Sequence, residues 1–165
     1  MMNRALILIV VLSLCASTYA QTASKPTAEV SRMHAPSGDS QTAVQLRPQD
    51  IVLIPTGKPG ISSALLVGAV EDAGVYLVRV RMEPGAINAA HVHPDARATT
   101  ILSGTVIYGM GPVADRAKGM SYGPGSVYYT PPNTPHWLIA TDEPVVYEEV
   151  GFGPSRSTPI AKGQP

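Results

Sequence analysis

The chain has 165 residues, with 12 basic and 12 acidic side chains and a formal net charge of zero. No block of like charges stands out, which argues against a nucleic-acid partner or a membrane-surface partner. The 15 glycines and 16 prolines are too many for a helical protein and favour a turn-rich β architecture.

The first 20 residues have the parts of a secretory signal peptide. A weakly basic start precedes an apolar run from Ala5 to Cys15 that is too short to span a bilayer comfortably. Thr18 and Ala20 place small residues at the −3 and −1 positions of a cleavage site. We therefore predict an exported protein, periplasmic or secreted, that is cleaved after Ala20 and keeps no stable membrane anchor. Lipidation of Cys15 is disfavoured, because Leu14 stands where a small residue normally precedes the modified cysteine.

Residues 21–45 are rich in Ser, Thr, Ala, Gln and Pro, and we predict a flexible leader. From residue 46 to 153, short apolar or alternating segments recur between turn signals, which predicts one all-β sandwich or barrel of about nine or ten strands. The clearest segments are 51–54, 63–70, 75–82, 89–93, 99–102, 105–108, 126–130, 136–140 and 145–150. Residues 114–120 offer a helical turn, and residues 154–165 are predicted to form a flexible tail.

Three of the four histidines stand in two short segments of the chain. His91 and His93 are two residues apart on a predicted strand, so their side chains point to the same side. His136 can add a third nitrogen from a neighbouring strand, and neutral imidazole is a common transition-metal ligand. These residues predict a site for one divalent transition metal, with Fe, Zn, Mn, Ni and Cu all compatible. The alternative is a set of ordinary histidines whose rings are hydrogen-bonded to protein groups.

The spacing around the first pair resembles the first sequence motif of the cupin superfamily. That motif runs Gly, five residues, His-x-His, three or four residues, Glu, six residues and Gly. Gly85, His91, His93 and Gly104 match the glycines and histidines of this motif at the required spacing. Arg97 stands in the place of the glutamate.

The second cupin motif runs Gly, five residues, Pro-x-Gly, two residues, His, three residues and Asn. Gly125, Pro131 and His136 fit it, whereas Asn133 replaces the glycine and Ala140 replaces the asparagine. The likeness extends over residues 48–153 and is greatest to small secreted single-domain cupins of type-2 kind. It implies a cupin-like β-barrel, that is, a double-stranded jelly roll.

By this resemblance, His91, His93 and His136 are the ligands of one divalent metal. Cupins include isomerases, dioxygenases, storage proteins and sensors, so the likeness implies a fold more than a reaction. We expect a small anionic, carboxylate-bearing ligand, with dioxygenase or isomerase activity. The alternatives are a non-catalytic cupin that binds or senses a ligand or metal, and a structural cupin that has lost its metal. The resemblance also implies a homodimer.

Arg97 has three interpretations. It clamps an anionic group of the ligand, it points outward and pairs with Asp95, or it marks a site without metal. Pro94 makes a turn at Asp95, which favours a surface position for that carboxylate.

Glu148 and Glu149 are candidates to replace the motif glutamate whose place Arg97 takes. Strand alternation turns one of them inward, where it can ligate the metal, support its ligands or act as a base. Their order does not decide which one, although Val146 and Val150 share a face with Glu148 and have the character of core residues. Tyr128 is a further candidate to line the pocket. The sequence identifies no catalytic residue.

Overall fold

The computed structural model describes residues 43–160. The predicted signal peptide (1–20), most of the predicted leader (21–45) and residues 161–165 lie outside the described residues. Within 43–160 the chain is all-β, as predicted, and forms two antiparallel sheets.

Residues 43–160 contain eleven strands where the sequence predicts about nine or ten. The strands are β1 (Ile54–Pro55), β2 (Ile61–Val67), β3 (Gly74–Met82), β4 (Ile87–Val92), β5 (Arg97–Ser103), β6 (Val106–Met110), β7 (Met120–Tyr122), β8 (Val127–Thr130), β9 (His136–Ala140), β10 (Val145–Gly153) and β11 (Thr158–Pro159). The added ones, β7 and β11, are only three and two residues long. The predicted helical turn is a 3₁₀ turn at Arg116–Lys118, and a second one spans Pro48–Asp50. Neither of these short turns could cross a bilayer, and no longer helix occurs between residues 43 and 160.

The first sheet has the strand order β1-β2-β3-β10-β5-β8, and the second sheet has the order β11-β4-β9-β6-β7. Strand β10 pairs with β3 along its whole length, from Val145 opposite Met82 to Gly153 opposite Gly74. Neighbouring strands are often distant in the sequence, as in a jelly roll, so residues far apart in the chain meet between the sheets.

The main core lies between the two sheets. Met82, Ile101 and Tyr147 come from the first sheet and Val106 and Leu138 from the second. All five belong to one cluster, and each of the five is at most 1% exposed. The alternation predicted for residues 75–82 is confirmed, because every second residue of β3 turns to this core.

A smaller apolar cluster is centred on Trp137, which is fully buried on β9. Its indole ring occupies the space beside Gly109 and Gly119, where a Cβ atom would overlap the ring. Glycine at these positions therefore allows the indole to lie against the backbone.

The structure differs from the predicted flexible tail over residues 154–160, which we call the C-terminal strap. Strand β11 within the strap pairs with β4, placing Thr158 opposite Val92 and Pro159 opposite His91. Ser155 is buried, and its amide donates a hydrogen bond to the carbonyl of Val70 at 2.7 Å. The strap is held mainly by backbone hydrogen bonds, which a Gly-, Pro- and Ser-rich composition does not reveal.

Candidate metal centre

Two adjacent strands of the second sheet bring the three histidines together. His91 lies on β4 and is paired directly with His136, the first residue of β9, while His93 follows the end of β4. The amide of Asn133 donates to the carbonyl of His93 at 2.7 Å. Asn133 has a φ of 54°, so an asparagine adopts the left-handed turn for which the cupin motif uses glycine.

The three rings form a compact buried group. His91, His93 and His136 are 4%, 7% and 2% exposed, and one nitrogen of each ring lies within 4.8 Å of the other two. The ring centroids are separated by 4.3 Å for His91 and His136, 4.8 Å for His91 and His93, and 5.3 Å for His93 and His136. The convergence predicted from the spacing is therefore present.

Each ring is oriented by a hydrogen bond from its Nδ1 atom to a backbone carbonyl. The pairs are His91 with Ala89 at 2.7 Å, His93 with Arg156 at 2.9 Å, and His136 with Thr134 at 2.9 Å. A carbonyl only accepts, so Nδ1 carries the proton in every ring and Nε2 keeps its lone pair. This is the arrangement by which proteins orient imidazoles that ligate metals.

The rings are neutral at physiological pH. Burial lowers the pKa of His91 to about 3, with a further contribution from His136. Burial and then the charge of Arg97 lower the pKa of His93 to about 4, and burial lowers the pKa of His136. A metal would therefore compete with few protons for these nitrogens at pH 7.

The donor set fits a divalent transition metal. Two imidazole nitrogens bound to one ion at about 2.1 Å are about 3.0–3.4 Å apart for bond angles between 90° and 109°. The three nitrogens lie within 4.8 Å of one another, so side-chain rotation would have to bring them closer together around an ion. Three protein nitrogens also leave coordination positions for a ligand or water.

Arg97 points inward and is buried, with 7% of its side chain exposed. Its Nη2 atom donates to Asp95 at 3.1 Å and to Ser155 at 3.0 Å, and its Nη1 atom donates to Glu149 at 3.2 Å. Two of the interpretations thus combine, because the guanidinium faces the interior and also pairs with Asp95. The expected surface position of Asp95 is wrong, since only 7% of its side chain is exposed.

Asp95 joins Arg97 to two residues that sequence reasoning missed. The hydroxyl of Tyr76 donates to Asp95 at 2.5 Å, and the hydroxyl of Ser155 also donates to this carboxylate. We call Tyr76, Asp95, Arg97, Glu149 and Ser155 the arginine network. Gly151 lies opposite both Tyr76 and Arg97 in the sheet, and a Cβ atom there would overlap the Tyr76 ring and Asp95. Gly151 lies one residue beyond the predicted strand 145–150, so the sequence pattern gave no specific signal of this close approach.

Of the two neighbouring glutamates, Glu149 faces the interior and Glu148 faces outward. Glu148 accepts a hydrogen bond from Arg79 Nε at 2.9 Å. The apolar residues beside Glu148 suggested a core face, but Val150 is 42% exposed, whereas Tyr147 on the face of Glu149 is 1% exposed. The first sheet therefore carries apolar side chains on its outer face as well, and hydrophobicity alone misassigns the two faces of β10.

Tyr128 is a core residue close to the histidines. It is 8% exposed, and its ring stacks on Tyr108 at 4.2 Å between centroids. The Tyr108 ring in turn lies 5.9 Å from that of His136. Within residues 43–160 the Tyr128 hydroxyl has no hydrogen-bond partner, and burial raises its pKa.

A cavity of about 140 Å³ reaches His91 and His93. The charged side chains that line it are Lys58 and Glu149. The Nζ atom of Lys58 donates to Asn88 Oδ1 at 2.7 Å, and Asn88 also lines the cavity. The remaining lining residues are Thr56, Ile61, Ser63, Val78, Val80, Tyr147 and Ser157. No sequence motif indicated Lys58, because it comes from a turn remote from both histidine segments.

Comparison with known proteins agrees with this architecture. A family model described as the cupin domain matches residues 78–151, and no curated protein matches the sequence. Among solved structures, KdgF from Halomonas sp. is similar at 15% identity and a TM-score of 0.57, over 67% of this chain and 94% of that one. The polyketide cyclase RemF from Streptomyces resistomycificus is similar at 16% identity and a TM-score of 0.59, over 73% and 89% of the two chains.

A sugar phosphate isomerase of the cupin superfamily from Silicibacter pomeroyi is 21% identical to this chain, with a TM-score of 0.54 over 66% of this chain and 75% of that one. At such identities these neighbours establish the fold alone. The two-sheet topology, the pair of histidine segments and the match to the cupin domain model agree with one another, and residues 78–151 of this chain belong to the cupin superfamily.

Proposed function

We propose that this chain is an exported cupin that holds one divalent transition metal on His91, His93 and His136 and binds a small carboxylate-bearing molecule beside it. The observation that carries the proposal is the shared orientation of the three rings, each with Nδ1 on a backbone carbonyl. Three neutral, buried nitrogens directed toward one region have no better-matched partner than a transition-metal ion.

A bound ion would supply Lewis-acid activation of a carboxylate or hydroxyl group and, if it were Fe(II), redox chemistry toward oxygen. The residues of the chain provide the rest of the site. The apolar wall formed by Val78, Val80 and Tyr147 excludes water from one side of the ligand. Glu149 is the carboxylate in the cavity, and it is placed to accept a proton from a bound ligand.

Glu149 favours an isomerisation, because proton removal and return at neighbouring atoms needs one positioned base. Arg97 Nη1 donates to Glu149 Oε2 at 3.2 Å, which fixes the carboxylate in place. Oxygen insertion is the alternative reaction for the Fe(II) form and uses the same ligand cavity.

The replacement of the motif glutamate by Arg97 favours a second candidate, a cupin without catalysis or metal. A buried cation near His93 opposes a second cation, as its contribution to the lowered pKa of His93 illustrates. Asp95 and Glu149 offset this charge, because both carboxylates lie within 3.2 Å of the guanidinium. We therefore favour the metal-binding candidate.

Elemental analysis separates the two candidates. Mature protein purified without a metal-binding tag is expected to carry about one divalent ion per chain. His91→Ala and His136→Ala should each lose the ion, while His34→Ala, in the predicted leader, should keep it. A folded wild-type protein with no ion, or retention of the ion in both His91→Ala and His136→Ala, would refute the metal centre. Mass spectrometry of the secreted form tests export, with Gln21 expected at the amino terminus.

A further inference from the structure

Among the residues that the structure describes, the cavity beside the histidines contains one cation that forms no ion pair with a carboxylate. Lys58 and Glu149 both line this cavity, but Glu149 is paired with Arg97 at 3.2 Å. Within residues 43–160 Lys58 has no carboxylate within ion-pair distance, and the contact of its ammonium group is the neutral amide oxygen of Asn88. An ammonium group has three N–H donors, so two stay available after this bond.

The turn between β1 and β2 fixes the position of Lys58. The amide of Lys58 donates to Thr56 Oγ1 at 3.3 Å, and the carbonyl of Lys58 accepts from the amide of Ile61 at 3.1 Å. At the other end of the side chain, Asn88 lies on β4, three residues before His91. The ammonium is therefore tied to the strand that carries a histidine of the centre.

The surroundings of the ammonium favour an anionic partner. Burial lowers the pKa of Lys58, because the charged form has lost part of its hydration, while the charge of Glu149 acts in the opposite sense. The lysine charge in turn contributes to the lowered pKa of His91 and of His136. Lys58 as a whole is an exposed residue, so its ammonium keeps part of its hydration and remains accessible to an incoming anion.

Arg97, by contrast, does not line this cavity, although its buried Nε atom has no hydrogen-bond partner within residues 43–160. Its two Nη atoms already make three hydrogen bonds to protein groups, and two carboxylates flank its single charge. A ligand carboxylate at Arg97 would have to displace Asp95 or Glu149, leaving that side chain charged, buried and unpaired. The anion-binding role that the sequence suggests for Arg97 thus fits Lys58 better.

We propose that Lys58 binds the carboxylate of a small aliphatic acid whose other end faces His91 and His93. This assignment rests on the proposed function and names its substrate class. The cavity measures about 140 Å³, close to the engineered 150 Å³ cavity that accepts benzene, so about six non-hydrogen atoms fit. Acids of two to four carbons have that size. The apolar side chains of Val78 and Val80 match the aliphatic part of such a molecule.

Calorimetric titration of the full mature protein, loaded with Zn(II), tests the proposal with L-lactate and lactamide as probes. The two molecules have the same shape and differ in charge. Lys58→Met is expected to weaken lactate binding about 10-fold or more and to leave lactamide unchanged, because a charge-assisted hydrogen bond is lost. Lys58→Arg should stay within about 3-fold of wild type. The control, Lys118→Met, removes an exposed lysine that pairs with Asp115 outside the cavity.

Equal lactate affinity in wild type and Lys58→Met would overturn the assignment. So would a wild-type protein that binds neither probe, or one that binds inorganic phosphate more tightly than lactate. Should Lys58→Met fail to fold, Lys58→Gln provides the same charge removal with a polar side chain. Zinc content, measured on every sample, keeps the two proposals separate. Absence of zinc in the wild type refutes the metal centre, while the lactate preference of the metal-free protein still tests Lys58.

Discussion

Mild acid should destabilise the metal-free domain, because His91 and His93 are buried as neutral rings. Burial lowers their pKa values to about 3 and about 4, against 6.5 for an unperturbed histidine. When the pH falls below 6.5, the unfolded chain takes up protons that the folded domain does not. The free energy of unfolding therefore decreases with falling pH, and it stops decreasing only near the folded pKa values.

The size of the effect follows from these pKa values. At pH 5 an unfolded histidine is almost fully protonated, while the two folded rings are still almost fully neutral. Relative to pH 7, each ring then reduces the free energy of unfolding by about 2 kcal/mol, or about 4 kcal/mol for the pair. Small domains have about 5–15 kcal/mol in total, so the loss is large. His136 acts in the same direction.

Urea denaturation at pH 7 and pH 5, with a chelator present, measures this loss. Trp137 is the single tryptophan and is fully buried, so its fluorescence reports unfolding. The lower limit of the pH range is set at 5 because the pKa of Asp95 lies below 3.8, so this carboxylate does not titrate within the range. In His93→Gln the pH-dependent loss should shrink by about 2 kcal/mol, since one titrating ring is gone. A wild-type loss under about 1 kcal/mol would refute the burial of neutral rings.

Two further variants test the packing around the centre by urea denaturation. Arg97→Met should reduce the free energy of unfolding by about 3–5 kcal/mol, because Asp95 and Glu149 stay buried without their cation. Adding Glu149→Gln should recover part of that loss. An Arg97→Met variant with an unchanged free energy of unfolding would contradict the role of the arginine network. Gly109→Ala should cost about 1–3 kcal/mol through overlap with the indole ring. Gly123→Ala, which meets open space, should have little effect, and equal effects of the two would disprove the overlap.

The convergence of the three rings was predictable because local rules govern it. Alternation along a strand places His91 and His93 on one side, and the pairing of β4 with β9 sets His136 opposite His91. Both rules act over a few residues. The all-β class followed for the same reason, since turn residues and short apolar segments are visible one at a time.

The arginine network was out of reach of the sequence because only the complete fold assembles it. Tyr76 and Ser155 reach Asp95 from β3 and from the C-terminal strap, far from it along the chain. The choice between Glu148 and Glu149 stayed open for a different reason. Alternation states that one of them faces inward, but an outer face with apolar side chains makes both faces look alike.

The hydrogen bond between His93 and the carbonyl of Arg156 ties the centre to the C-terminal strap. A nascent chain still lacking Arg156 has only two of its three imidazoles oriented by a backbone carbonyl. Orientation of the third ring therefore waits until the strap has been synthesised. A truncation, or a bulky fusion that pulls residues 154–160 away from β4, would loosen His93 while leaving the core between the sheets intact.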